Sequence, residues 1–272
     1  MGTVGTVGAI GMTGTTGTMG TMGTTGLGLV TIGQAPRTDL ARDVEPWLGG
    51  LERYEHGALD DDVFDDVIDD VFEGGAGEAT RAALAPEPGE PPLISRLRDG
   101  TSVLLGHRAL APRMRDAVAR CEADGAAVTL LLCTGSFPPV PAHRPLLYAE
   151  PLVQQGVRAL TGEDPVGIVC PLAAQREDVE RRWSALLPGR VRAEPGDPYA
   201  PDAHTQAAAA ARRLAEAGSR WIVLDCVGYT ESMRRAAAEA AGRPVLLARA
   251  LAIRLAAEAA RAAASAGAAP RD

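Results

Sequence analysis

Residues 128–136 read VTLLLCTGS, and residues 221–230 read WIVLDCVGYT. In each stretch a short apolar run leads to a cysteine, and glycine and hydroxyl-bearing residues follow it. Continuous apolar runs of this length are typical of parallel strands that are buried on both faces. The two stretches therefore predict two buried strands, each with a cysteine at its carboxyl end.

The rest of the chain alternates between strand-like and helix-like patterns. Further strands are predicted at 27–33, 51–59, 165–172, 190–195 and 244–249, and helices at 38–48, 111–125, 150–160, 173–187, 201–217, 231–241 and 250–264. Such alternation predicts βαβ units, with parallel sheets flanked by helices. Because the segments around Cys133 and Cys226 echo each other, we expect an α/β fold of two similar lobes.

Three segments depart from this alternation. Residues 93–100 and 102–107 are predicted to form two strands joined by an Asp-Gly turn, and the Gly- and Pro-rich segment 74–92 is predicted to be a loop. Apolar pairs recur every four residues in the aspartate-rich stretch 60–72, which favours a helix with a solvated acidic face.

The domain boundaries follow from these patterns. Residues 1–26 form an uncharged Gly/Thr/Met repeat that is expected to be disordered. The first lobe is placed at 27–148 and the second at 149–248. Residues 249–272 are expected to form a C-terminal helix that packs back on the first lobe.

Composition limits the classes of function. The net charge of −8 disfavours nucleic acid as a partner, because phosphate binding requires a basic face. No apolar run approaches the roughly 20 residues that a membrane span needs. The four cysteines show neither CxxC pairs nor zinc-ligand spacing, so we predict no metal, reduced thiols and a cytoplasmic protein. A homo-oligomer remains compatible with the sequence.

Cys133 and Cys226 are the candidate reactive groups. Ligands of open α/β sheets bind at the carboxyl ends of the strands, so two facing lobes would bring both thiols to one cleft. A nearby helix N-terminus would lower the pKa of each thiol. Cys121, within a predicted helix, and Cys170, within a predicted strand, are interpreted as structural.

The chain resembles the AroM family. The resemblance lies in GLVTIGQAPR (28–37), EHGALD (55–60), LLCTGSFP (131–138), VCPLAAQ (169–175) and LDCVGYTES (224–232). That family is similar to the aspartate/glutamate (hydantoin) racemase superfamily. The resemblance implies two pseudosymmetric α/β lobes with a cleft between them, one catalytic cysteine from each lobe, here Cys133 and Cys226, and no cofactor. The residues beside both cysteines differ from those usual in the racemases.

The expected function is cofactor-independent proton transfer on a small carboxylate by the two thiols. One thiolate would remove a proton alpha to a carboxylate or carbonyl, and the opposed thiol would return one to the other face. Backbone N–H groups near Gly135 and Gly228 would stabilise the developing negative charge. Candidate substrate-binding residues are Gln34, Arg37, Thr134, Gly135, Ser136, Gln175, Tyr199, Gly228, Tyr229 and Thr230.

Three alternatives stay open at this stage. One cysteine could act as a nucleophile while the other acts as the acid. The chain could instead be a non-catalytic small-molecule-binding or regulatory protein on a racemase-like scaffold, because fold does not determine function. A Cys–His hydrolase is the weakest alternative, because His56, His107, His143 and His204 show no sequence link to either cysteine.

Overall fold

The computed structural model describes residues 1, 26–62 and 76–267. Except for its two end residues, the predicted tail at 1–26 lies outside this part of the chain. The same holds for residues 63–72 of the predicted acidic helix. Asp60 and Asp61 lie in a turn after the second strand.

The described residues form ten strands and eight α-helices. The strands are β1 (Leu27–Thr31), β2 (Arg53–Gly57), β3 (Leu93–Arg96), β4 (Ser102–Leu105), β5 (Val128–Leu131), β6 (Leu146–Tyr148), β7 (Val166–Cys170), β8 (Val191–Pro195), β9 (Trp221–Leu224) and β10 (Val245–Leu247). The helices are α1 (Thr38–Leu48), α2 (Ala76–Leu84), α3 (His107–Asp124), α4 (Ala149–Thr161), α5 (Arg176–Leu186), α6 (Ala203–Glu216), α7 (Glu231–Ala241) and α8 (Ala248–Gly267).

Two four-stranded parallel sheets carry the fold. The first has the order β2-β1-β5-β6, and the second, read from its other edge, has the order β8-β7-β9-β10. The two orders match position for position, so β5 and β9 are equivalent strands of two pseudosymmetric lobes. The predicted α/β fold class is confirmed.

Local differences from the sequence prediction are confined to short elements. The predicted hairpin forms, with β3 antiparallel to β4 and Gly100 at a positive φ of 87° in the turn. The loop prediction for 74–92 was wrong, because α2 lies within it. Its segment EATRAAL (78–84) is rich in good helix formers, whereas the flanking glycines and prolines dominated the sequence pattern. The three-residue strand β6 was not predicted.

The hydrophobic core lies in three layers around the two sheets. A central cluster is shared by both sheets and by α1, α4, α5 and α8, and it includes Leu29, Leu130, Ile168 and Trp183. Separate clusters cover the outer face of the first sheet and the outer face of the second. The central layer therefore holds the two lobes together through apolar burial.

The C-terminal helix α8 belongs to this central layer. It contacts α1, β1 and β5 as well as α4, and Ala252, Ala256 and Ala260 on it are fully buried. Within the described residues, no helix is both long and apolar enough to cross a membrane.

Candidate active site

Cys133 and Cys226 lie two residues beyond the equivalent strands β5 and β9. Both side chains are almost buried, with 8% and 7% of their surfaces exposed. Both line one cavity of about 240 Å³. The carboxyl ends of two different sheets thus bring one thiol each to a shared space.

The backbone around the two thiols is built alike. The Gly135 N–H donates to the Cys133 Sγ at 3.4 Å, and the Gly228 N–H donates to the Cys226 Sγ at 3.4 Å. A hydrogen bond from an amide stabilises a thiolate more than a thiol, so each strand end offers the same support to its cysteine. The repeated Cys-x-Gly pattern of the sequence corresponds to this repeated contact.

Burial controls the ionisation of both thiols. It raises the pKa of Cys133 to about 12, against the opposing contribution of the Gly135 N–H. It raises the pKa of Cys226 to about 11. The expected lowering by a helix N-terminus is not found, because burial raises the pKa of Cys226 and because residues 132–145, which follow β5, contain no helix. Both thiols are therefore protonated at neutral pH.

The two thiols differ in the charges around them. The charge of Asp225 raises the pKa of Cys226, whereas the Arg37 guanidinium and the Tyr199 hydroxyl near it lower that pKa. At Cys133 the negative charges of Glu150 and Asp225 both raise the pKa. Cys226 is the more acidic thiol of the pair.

Arg37 is held in place away from the cavity. Its Nε and Nη2 atoms each donate to the Asp39 carboxylate at 2.8 Å, and Nη2 also lies 3.4 Å from the Tyr199 hydroxyl. The side chain is 5% exposed and does not line the cavity. Arg37 therefore acts on Cys226 through Tyr199 and through its charge.

Four of the ten predicted substrate-binding residues line the cavity: Thr134, Gly135, Ser136 and Gln175. Two of them also connect the lobes. The Thr134 hydroxyl donates to the backbone oxygen of Asp225 at 3.2 Å, and Gln175 Nε2 donates to the backbone oxygen of Pro92 at 2.8 Å. These contacts fix the distance across the cleft.

The other six, Gln34, Arg37, Tyr199, Gly228, Tyr229 and Thr230, do not line the cavity. The amide of Gln34 is occupied by backbone groups, since it donates to the oxygens of Leu59 and Asp62 and accepts from the Arg98 N–H.

Tyr229 and Thr230 support the loop after β9. The fully buried Tyr229 donates its hydroxyl to the backbone oxygen of Gly196. The Thr230 hydroxyl caps α7 by accepting from the Met233 N–H at 3.2 Å.

Three polar residues of the cavity were missed by sequence reasoning: Asp178, Arg182 and Asp225. His107, which shows no sequence link to either cysteine, also lines the cavity. Asp225 had a signal, because an acidic residue directly after an apolar strand and before a candidate cysteine is unusual. Arg182 and Asp178 had none, because α5 is charged along most of its length.

The cavity contains more acidic than basic groups. The Arg182 guanidinium donates to both Asp178, at 2.9 Å, and Glu150. Asp225 is 6% exposed and accepts from Trp183 Nε1 at 2.8 Å, and burial raises its pKa to about 6. In the described part of the chain, no group of three or more His, Cys, Asp or Glu side chains is arranged to hold a metal ion.

The chain was compared with known protein families and with curated protein sequences. The model of a protein family described as "AroM protein" matches residues 27–260. No curated protein sequence matches the chain.

Solved structures share the fold at low sequence identity. An unliganded arylmalonate decarboxylase is 17% identical, with a TM-score of 0.55, over 86% of this chain and 91% of its own. A glutamate racemase from Bacillus anthracis is 8% identical, with a TM-score of 0.54, over 88% of this chain and 83% of its own. These likenesses show that the chain has the fold of the aspartate/glutamate racemases.

Proposed function

We propose that this chain, which belongs to the AroM protein family, is a cofactor-independent isomerase- or racemase-like enzyme that moves protons on a small carboxylate with two cysteine thiols. The observation that carries the proposal is the meeting of Cys133 and Cys226, from equivalent strands of two sheets, in one cavity. The named substrates of the two neighbouring structures, an arylmalonate and glutamate, are themselves carboxylates, which supports the substrate class.

The proposed reaction needs a base and an acid on two sides of one carbon. Cys226, as the thiolate, takes the proton from the carbon alpha to the carboxylate, and its Sγ becomes a thiol. Cys133 then gives its own proton to the opposite face of that carbon. Protons and charge balance, because one thiolate and one thiol exchange their roles without a cofactor.

The contacts favour Cys226 as the starting base. Burial raises the pKa of Cys226 to about 11 and that of Cys133 to about 12, and the Arg37 charge and the Tyr199 hydroxyl oppose this rise at Cys226. A pKa of 11 leaves only about one thiolate in ten thousand at pH 7. Substrate binding therefore has to promote ionisation, for example by excluding water and adding hydrogen-bond donors.

The carboxylate has donors available in the cavity wall. Ser136 lies three residues after Cys133 in the cavity wall, and Arg182 also lines the cavity, where it is paired with Asp178 and Glu150. We assign the substrate carboxylate to this wall rather than to Arg37, because Arg37 does not line the cavity.

A non-catalytic binding protein is the second candidate. The specific observation in its favour is that both thiols have strongly raised pKa values, whereas a cysteine that acts as a nucleophile usually has a lowered one. The same observation weakens the alternative in which a single cysteine attacks the substrate covalently.

Deuterium incorporation from D₂O tests the proposal. The protein is incubated with arylmalonates, amino acids, hydantoins and small diacids, and C–H signals are followed by NMR. Cys133→Ser and Cys226→Ser should each reduce exchange by at least about a hundredfold. Cys170→Ser is the matched control, since this buried cysteine ends β7 outside the cavity and should retain activity.

The pattern of losses separates the candidates. Loss in both cavity variants supports two-thiol proton transfer, whereas loss in one alone points to a single nucleophilic cysteine. If the wild-type protein exchanges none of these compounds but binds some of them, the enzymatic proposal fails and the binding protein is favoured.

A further inference from the structure

We infer that Asp225 sets the charge of the two-thiol cavity: its carboxyl group takes up a proton when the cavity admits an anion and releases it when the anion leaves. The inference deepens the proposed function, because an anionic substrate is part of that proposal. Asp225 is thereby assigned as a specificity-determining residue of the proposed reaction.

The first support is the position of Asp225. It lies between the end of β9 and Cys226, is 6% exposed, and lines the cavity together with both thiols. Trp183 Nε1 donates to its Oδ2 atom at 2.8 Å, and the Thr134 hydroxyl donates to its backbone oxygen. The carboxyl group is thus fixed beside the space that a substrate would fill.

The second support is the shortage of positive charge. Arg182 on α5 is near Asp225, but it is already paired with Asp178 of the same helix and with Glu150 of α4. The other titratable groups that face Asp225 or the same cavity are His107, Cys133, Cys170, Cys226 and Tyr229. An entering carboxylate would therefore meet an uncompensated Asp225 carboxylate in a desolvated space.

The size of this repulsion is large enough to matter. Two like charges about 7 Å apart at an effective dielectric constant of about 20 disfavour each other by roughly 50-fold in an equilibrium constant. Protonation of Asp225 removes the repulsion. The carboxyl group can take the proton near neutral pH, because burial has already raised its pKa to about 6.

A direct role for Asp225 as the base that activates a thiol is disfavoured by the same numbers. Its pKa of about 6 lies about five units below that of Cys226, about 11. Transfer of the thiol proton to Asp225 is therefore strongly unfavourable. Control of the cavity charge is the role that remains.

Charged thiol reagents measure this charge without a substrate. Cys226 is modified with an anionic sulfonatoethyl methanethiosulfonate and, separately, with a cationic trimethylammonioethyl methanethiosulfonate between pH 5 and 8. Mass spectrometry of the Cys226 peptide gives the two rates. Their ratio is independent of the thiolate fraction, because both reagents attack the same thiolate. The ratio therefore reports the local charge.

In the wild-type protein we expect the anionic-to-cationic ratio to fall about tenfold or more as the pH rises through about 6, since Asp225 gains its negative charge there. Asp225→Asn should keep the ratio high at every pH. Asp178→Asn is the matched control, because it removes another carboxyl group from the same cavity and should leave the step in place.

Three results would overturn the inference. The first is a wild-type ratio that does not change with pH, and this result needs no variant for its interpretation. A step that persists in Asp225→Asn would assign the charge to another group. A cavity that admits neither reagent would leave no path for an anion. If the protein catalyses deuterium exchange but the modification ratio does not change with pH, only the inference about Asp225 is rejected. If the ratio changes with pH but no compound exchanges, only the proposed catalysis is rejected.

Discussion

Asp225, Cys133 and Cys226 are ionisable residues whose pKa values are moved mainly by burial. Burial disfavours the charged form, so it raises the pKa of an acid whether the acid is a carboxyl group or a thiol. At Cys226 the hydrogen bond from Gly228 and the charge of Arg37 oppose the effect without cancelling it. The site therefore holds its acids in their protonated forms more firmly than water would.

A prediction at this scale concerns the stability of Asp225→Asn. Since the pKa of Asp225 is about 6 in the folded protein and about 4 when unfolded, the folded state binds more protons between pH 4 and 6. The free energy of unfolding of the wild-type protein consequently decreases as the pH rises through this window, by up to about 3 kcal/mol from this residue.

Asparagine keeps an oxygen acceptor for Trp183 and does not ionise, so the variant should lack this decrease. Its stability relative to the wild-type protein should rise by up to about 3 kcal/mol from pH 4 to pH 7. Urea unfolding at four pH values measures the difference. A difference that stays constant with pH would show that Asp225 titrates alike in the folded and unfolded states.

The loops after β5 and β9 are equivalent elements with unequal neighbours. A β-carbon added at Gly228 would lie 2.6 Å from the Tyr199 Cζ, within a ring whose hydroxyl Arg37 contacts. A β-carbon at Gly135 would lie 2.6 Å from Cδ2 of Leu93, the end of a flexible side chain. An added methyl group would therefore clash with a fixed aromatic ring at Gly228, whereas at Gly135 a flexible leucine side chain can move aside.

We predict that Gly228→Ala destabilises the protein by about 2–3 kcal/mol, as overpacking of a rigid site does, and Gly135→Ala by about 1 kcal/mol or less. Displacement of the Tyr199 ring should also raise the pKa of Cys226, because the hydroxyl that lowers it is moved away. Urea unfolding and the pH dependence of Cys226 modification by a neutral thiosulfonate measure the two effects. Equal costs at both glycines would contradict this account of the loops.

Across the whole molecule, buried contacts connect the two lobes. The side chain of Arg249, at the start of α8, is fully buried; its Nη2 pairs with Asp43 of α1 and its Nη1 donates to the backbone oxygen of Val227, next to Cys226. Asp43 also accepts from the Glu231 N–H at 2.8 Å. One ion pair, in which Arg249 is fully buried and Asp43 is partly exposed, thus joins the first lobe, the C-terminal helix and the loop that carries Cys226.

Removal of the Asp43 charge should therefore affect the entire fold. We expect Asp43→Asn to lower the free energy of unfolding by about 3–5 kcal/mol, because Arg249 would be left buried without its counter-charge. Glu216→Gln, which breaks the exposed pair with Arg212 on α6, should change it by no more than a few tenths of a kcal/mol. Chemical denaturation compares the two variants, and similar small effects in both would show that the buried pair contributes no more than an exposed one.

The sequence was sufficient for most of the elements, though not for α2 and β6, and for the two cysteines that meet in the cavity. Continuous apolar runs located β1, β5, β7, β9 and β10, because burial on both faces of a sheet requires such runs. The partly buried edge strands β2 and β8 were predicted without such a run, and β6 was not predicted. The matched Cys-x-Gly patterns around Cys133 and Cys226 predicted their common setting, since the carboxyl ends of parallel strands are where a sheet exposes its ligands.

Only the tertiary structure decided which polar residues accompany the thiols. Arg37 and Gln34 follow a strand end, as the cysteines do, yet the carboxylate of Asp39 and backbone groups occupy their donors before any ligand could. Arg182 and Asp178 reach the cavity from a helix that looks like an ordinary charged surface helix in sequence. Sequence determined the strands and their cysteines because periodicity is a local property, whereas the charge of the cavity depends on which side chains are brought together from distant parts of the chain.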